Sequence, residues 1–153
     1  MATTNATITL SSSDLTGDAL ALSTSSTLTK GGTVTGLDQT TGVARKTFTS
    51  QNEVIIFDAA EYNAGGTAVT NPGFKVYLRN PSTVATEYFT IKIADGSGIT
   101  GSPAASVAGE NMGRLYAGDW TFFPWDASAD ADITVSPSVA TAMTLEYMII
   151  YHV

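Results

Sequence analysis

The chain has 153 residues, no cysteine and a formal net charge of -7, so it is sized for one domain that closes its core without disulfides or thiolate metal sites. Fourteen acids against seven bases argue against a nucleic-acid partner, because affinity for phosphates requires clustered lysine and arginine. Serine and threonine make up about a quarter of the residues, a β-rich composition, and no apolar run approaches the ~20 residues that a membrane helix needs.

Met1–Ala6 has neither a basic nor an apolar region, so no secretory signal is expected. Residues 1–50 then read as an extended N-terminal arm. Ala6–Leu10 predicts a short strand, and Ser13 to Leu22 one helical turn. Isolated leucines among Thr, Ser and Gly bury too little to fold alone. The arm is expected to order on a neighbour, with Leu15, Leu20, Leu22 and Leu28 as pegs. Gly42–Thr49 is the expected hinge. It holds the adjacent bases Arg45 and Lys46, and Phe48, as candidates for contact with a partner surface.

Residues 51–153 read as the body. Val54–Phe57 is a continuous apolar run, consistent with a strand buried on both faces. A loop over Asp58–Gly73 follows. Phe74–Arg79 alternates, with Phe74, Val76 and Leu78 inward and Lys75, Tyr77 and Arg79 outward. Glu87–Ile93 alternates again, burying Phe89, Ile91 and Ile93, and is expected to pair with the preceding strand as a hairpin. A glycine-rich loop leads to Gly113–Trp125, the aromatic centre of the chain. There Ala117-Gly118-Asp119 has the chemistry of a tight reversal, with Gly118 free to take a positive φ and Asp119 able to bond its own backbone. Ile133–Val135 is a short strand, and Met143–Tyr151 a long one, expected to be central. Seven or eight strands without a long helical period predict an all-β fold, an antiparallel β-sandwich.

No constellation of residues points to catalysis. His152 is penultimate, a poor place for a rigid base. Gly96-Ser97-Gly98 lacks the spaced glycine of a nucleophile elbow. Asp126, Ser128, Asp130 and Asp132 alternate as oxygen donors for a hard cation do, but without the glycine and distal glutamate of a calcium loop. No cofactor and no metal are therefore expected. Between the tryptophans, Trp120 is assigned to the core beside Phe122, and Trp125, after Pro124, to an exposed or subunit-contact position.

Several stretches carry a family resemblance: residues 1–15 (Met1 to Leu15), Leu28-Thr29-Lys30, Thr41–Arg45, Lys75–Pro81, Gly113–Trp120 and Leu145-Glu146-Tyr147. Together they resemble small virion proteins of tailed bacteriophages of marine cyanophage and pelagiphage type, in particular head decoration, or cement, proteins. The resemblance implies a jelly-roll-like sandwich, binding to the major capsid protein on the capsid surface, self-association as a homotrimer and stabilisation of the shell. It brings no catalytic residues. Similar sandwiches occur in tail and fibre components, so a host-glycan module and a tail tube subunit stand as alternatives.

Overall fold

The computed structural model describes residues 3–13, 20–30, 33–63, 74–94, 109–127 and 132–152. Its strands are β1 (Asn5–Ser12), β2 (Leu20–Thr27), β3 (Gln39–Thr40), β4 (Ala44–Phe48), β5 (Val54–Phe57), β6 (Phe74–Arg79), β7 (Tyr88–Ala94), β8 (Glu110–Tyr116), β9 (Trp120–Trp125), β10 (Asp132–Pro137) and β11 (Met143–Tyr151). A short helix, α1 (Ala59–Asn63), follows β5.

The fold is an antiparallel β-sandwich. One sheet runs β5-β10-β7-β8; the other runs β3-β11-β6-β9, with β4 also on β11. The pieces β3 and β4 share one side of β11, pairing with Ile150–Tyr151 and Met143–Tyr147 respectively. Counted as one strand, they make the body eight strands, ordered first-eighth-third-sixth in one sheet and second-seventh-fourth-fifth in the other. Residues 39–40 and 44–48, within the stretch expected as an arm and hinge, thus lie in the sheet. Among the described residues, β1 and β2 alone stand apart, as a two-stranded ribbon.

Between the sheets the inward parities of the strands meet. Val76, Leu78, Phe89, Ile133, Val135, Leu145 and Ile149 are closed to solvent or nearly so, joined by Phe48, Phe57, Phe74 and Trp125. Aromatic edges interlock at one end of this core: Trp125 lies 5.6 Å from Phe74, 5.8 Å from Tyr62 and 6.1 Å from Phe57, centroid to centroid. A buried polar row lies on the outward parity of β7 and β10. Glu53 receives Lys92 Nζ at 3.0 Å and the Thr134 hydroxyl at 2.5 Å, and all three residues are buried.

Three expectations change. Strands β6 and β7 do not form a hairpin. They lie in opposite sheets, because the eight residues from Asn80 to Glu87 are long enough to cross the sandwich. Strand β5 is an edge strand whose first three residues are half-buried, rather than buried on both faces. Of the segment expected to hold a helical turn, Ser13–Leu22, the last three residues lie in β2, Ser13 directly follows β1, and residues 14–19 lie outside the described residues. Strand β11 is central, as its length and apolarity predict.

Candidate interaction surface

Strands β1 and β2 pair over eight residues each, from Asn5↔Thr27 to Ser12↔Leu20. Residues opposite one another share a face, and faces alternate along a strand. One face therefore carries Asn5, Thr7, Thr9, Ser23, Ser25 and Thr27, and it satisfies itself: Thr27 donates to Asn5 at 2.9 Å, Thr7 to Ser25 at 3.0 Å, and Thr9 and Ser23 lie 3.4 Å apart. The other carries Ala6, Ile8, Leu10 and Ser12 on β1 and Leu20, Leu22, Thr24 and Ser26 on β2, with Leu10 directly across from Leu22. Ile8, Leu10, Leu20 and Leu22 are all exposed, Leu10 at 49% and Leu22 at 47%. The ribbon thus has one mainly polar face and one mixed face on which four large apolar side chains are exposed.

At its root the mixed face is already covered by its own chain. Ala6 packs against a second small core of Leu28, Leu37 and Ile150, with Phe122 and Met148 alongside. Thr4 fixes this junction, its carbonyl accepting the Leu28 N–H at 2.8 Å and its hydroxyl donating to the Leu37 carbonyl at 3.0 Å.

The second core sits on the outer face of the sheet that contains β11. Register places three rows across β11, β6 and β9: Ile150, Lys75 and Pro124; then Met148, Tyr77 and Phe122; then Glu146, Arg79 and Trp120. Arg45 on β4 extends the third row. The buried Glu146 carboxylate accepts from Arg45 Nε at 2.9 Å and Nη2 at 2.5 Å, and from Arg79 Nη1 at 3.3 Å. Both guanidiniums are well exposed, so the row presents one net positive charge.

Strands β8 and β9 are, among the described residues, the edges of their two sheets on one flank of the sandwich. The reversal between them is built as its residues predict. Gly118 takes φ +82, and Asp119 Oδ2 accepts the Tyr116 N–H at 3.0 Å. The flank holds a gap of about 280 Å³ lined by Ile91, Leu115 and Phe123 within, and by Met112, Arg114, Asp119 and Trp120 at its mouth. The β8 ladder slips between Ile91 and Lys92, whose partners are Gly113 and Asn111, and the skipped residue is Met112. A bulge of this kind re-aims a side chain, here leaving Met112 44% exposed at the gap.

The residues singled out from sequence divide accordingly. Leu20 and Leu22 are exposed on the ribbon, and Arg45 on the sheet face, while Lys46 is half-buried. Leu28, Phe48 and Trp125 are buried within their own chain, which removes them as contacts to a partner. Leu15 lies outside the described residues. The two tryptophans exchange the roles expected of them: Trp125 is 5% exposed and Trp120 54%. Strand β9 has aromatics at both parities, and its register with β6 sends Phe123 and Trp125 to the main core and Trp120 and Phe122 outward. Among the oxygen donors weighed for a cation, Ser128 and Asp130 lie outside the described residues. Asp132 is buried and accepts the Ala59 N–H at the start of α1 at 2.8 Å. No group of three acids or histidines that could hold a metal occurs among the described residues. His152 Nδ1 lies 2.9 Å from Asp38.

No family model matches the chain, and no curated protein matches it. Among solved structures, it is similar to the Yersinia pseudotuberculosis-derived mitogen, at 9% identity over 74% of this chain and 86% of that one, with a TM-score of 0.42. It is also similar to a chain of the Bacillus endospore appendages, which form disulfide-linked pili, at 16% identity over 78% of this chain and 95% of that one, with a TM-score of 0.40.

Proposed function

We propose that the chain is a non-enzymatic virion structural protein, a decoration or cement protein that binds the outer surface of a phage head and stabilises it. The sequence resemblance supplies the phage context. The observation that supports an assembly role is the ribbon, whose polar face pairs side chains across its two strands while Ile8, Leu10, Leu20 and Leu22 on its other face are left to solvent. Two strands alone are marginal in water, and a third element is needed to cover such a face. The strand order of the body supports reading the sandwich as a jelly roll.

A cement protein works by repetition. Each copy contributes a modest contact, and linkage of copies in a symmetric shell raises the effective affinity by orders of magnitude. Arg45 and Arg79 give the outer sheet face a local positive charge on an otherwise acidic protein, suited to an acidic patch on the major capsid protein. The glycan-binding alternative drew on Trp125; with that ring buried it rests on Trp120.

The test is cosedimentation of the purified protein with expanded capsids that lack it. Stoichiometric, saturable binding that resists moderate salt is expected. No binding at any ratio overturns the decoration role. The informative truncation begins at Leu28 rather than in β3, because Leu28 and Leu37 cover Ile150 in the same chain.

A further inference from the structure

On the outer face of the sheet that contains β11, two guanidiniums from the flanking strands share one carboxylate. Arg45 of β4 takes Glu146 Oε1, and Arg79 of β6 takes Oε2. The Glu146 side chain is 7% exposed, whereas those of Arg45 and Arg79 are 70% and 46% exposed. Glu146 therefore neutralises one cation and leaves the other to be answered from outside the chain. We infer that Arg45 and Arg79 form a carboxylate-binding clamp, positioned by Glu146, that receives an acidic side chain of a protein partner. This deepens the function proposed above and rests on that reading only for the identity of the partner.

The surroundings supply no second anion on this face. The adjacent rows are uncharged, with Thr47 and Thr144 on one side and Met148, Tyr77 and Phe122 on the other, and Trp120 ends the row beyond Arg79. Among the described residues, Arg45 Nη1 and Arg79 Nη2 have no acceptor. A mobile arginine gives up rotamer freedom when it binds a ligand, but here both forks are already tied to Glu146. A ligand thus meets two donors whose ordering is complete. Arg114, stacked on the Tyr88 ring at 4.5 Å, is a single exposed guanidinium without such a pair.

The ligand comes from above the sheet. The cleft of about 380 Å³ beside Arg45 carries Glu87 on its wall, where Glu87 accepts from Ser82 Oγ at 2.5 Å, so a carboxylate entering there meets a like charge. Arg79 does not line that cleft. An exposed sheet face suits a protein surface better than a small molecule, which needs enclosure, and arginine is the cation enriched at protein interfaces. A nucleic acid or polyphosphate lays many further charges over a protein of net charge -7, whereas one acidic side chain needs only the one cation left over.

The test follows the arginine Nε–Hε signals of the isotope-labelled full chain by NMR during titration with tetraglutamate, with tetraglutamine as control. Saturable shifts at Arg45 and Arg79 are expected, with Arg114 silent and no response to tetraglutamine. The R45K/R79K protein keeps the charge and loses the forks, and it should bind about tenfold more weakly, the loss expected for a charge-assisted hydrogen bond. Glu146→Gln, checked for unchanged circular dichroism, should also bind more weakly although it makes the face more positive. Simple charge attraction predicts the reverse, so an E146Q protein of equal or greater affinity overturns the positioning role. Equal shifts at all three arginines, or an R45K/R79K protein of unchanged affinity, overturn the clamp. Saturation by glucuronate without response to tetraglutamate overturns the protein partner in favour of an acidic sugar. Capsids separate this proposal from the function above. An R45Q/R79Q protein that sediments with them like wild type removes this contact and leaves the decoration role standing, while tetraglutamate binding without capsid binding does the opposite.

Discussion

The side-chain amide of Asn80 donates to the Leu115 carbonyl at 3.1 Å, joining the end of β6 in one sheet to β8 in the other. The same amide reaches the Glu87 carbonyl at 3.2 Å, and its oxygen accepts the Ser82 N–H at 3.1 Å. The Asn80 backbone in turn receives Gly118 N–H at 2.9 Å and donates to Asp119 at 3.0 Å. One fully buried side chain thus organises both turns at this corner of the sandwich.

Asn80→Ala is expected to cost about 3 kcal/mol, since it leaves buried carbonyls without donors as well as losing the bonds themselves. Urea denaturation followed by circular dichroism measures it. A loss below about 0.5 kcal/mol, the range of surface substitutions, shows that the corner does not depend on this amide.

The exchange of roles between the tryptophans predicts opposite outcomes for one chemical change. Trp125→Ala opens a cavity among Phe57, Tyr62 and Phe74 and is expected to cost about 3–5 kcal/mol. Trp120→Ala is expected to stay within about 0.5 kcal/mol of wild type. Thermal melts of the two proteins side by side decide between this order and its reverse.

Glu53 and Lys92 form a buried ion pair that Thr134 completes. Removing one member leaves a charge in the interior, so Lys92→Met and Glu53→Gln are each expected to cost about 3–5 kcal/mol. The double variant E53Q/K92M should recover part of that loss. Additive losses in the double-mutant cycle refute the coupling.

Tyr62, on α1, has its phenol held above its ordinary value of 10.0, first by burial and then by the nearby Glu61 carboxylate. A pKa higher in the folded than in the unfolded chain contributes stability that is complete below pH 10 and fades as pH rises through the folded value. Wild type should therefore lose stability more steeply above pH 10 than Tyr62→Phe, with stability followed against pH in urea. Parallel curves for the two proteins contradict the assignment.

Much of the sandwich is legible in the residues because alternation is strong where one face is buried. In β6, Phe74, Val76 and Leu78 are buried while Lys75 and Tyr77 are only partly so and Arg79 is exposed; the turn at Gly118 announces itself through its own chemistry. Partner choice is not local, which is why β6 and β7 look like a hairpin in sequence and sit in opposite sheets. Strand β9 offers an aromatic at nearly every position, so its parity is set only by pairing with β6. The ribbon is half visible: Ala6, Ile8 and Leu10 alternate, but Leu20 and Leu22 gain meaning only when register places them across from Ser12 and Leu10. Glu53 has no local signal, since a lone acid before an apolar run looks like any solvated residue.

The strand that completes the sheet is the last to be made. β3, β4 and β6 all pair with β11, so while the ribosome is still producing residues 80–142 they have no partner on that side. The sheet therefore closes only late in synthesis, through contacts between distant parts of the chain, a topology that folds slowly and keeps sticky edges open while it waits. Chains that stop before Met143 are accordingly expected to leave one edge of β6 open and to aggregate more readily than the full chain.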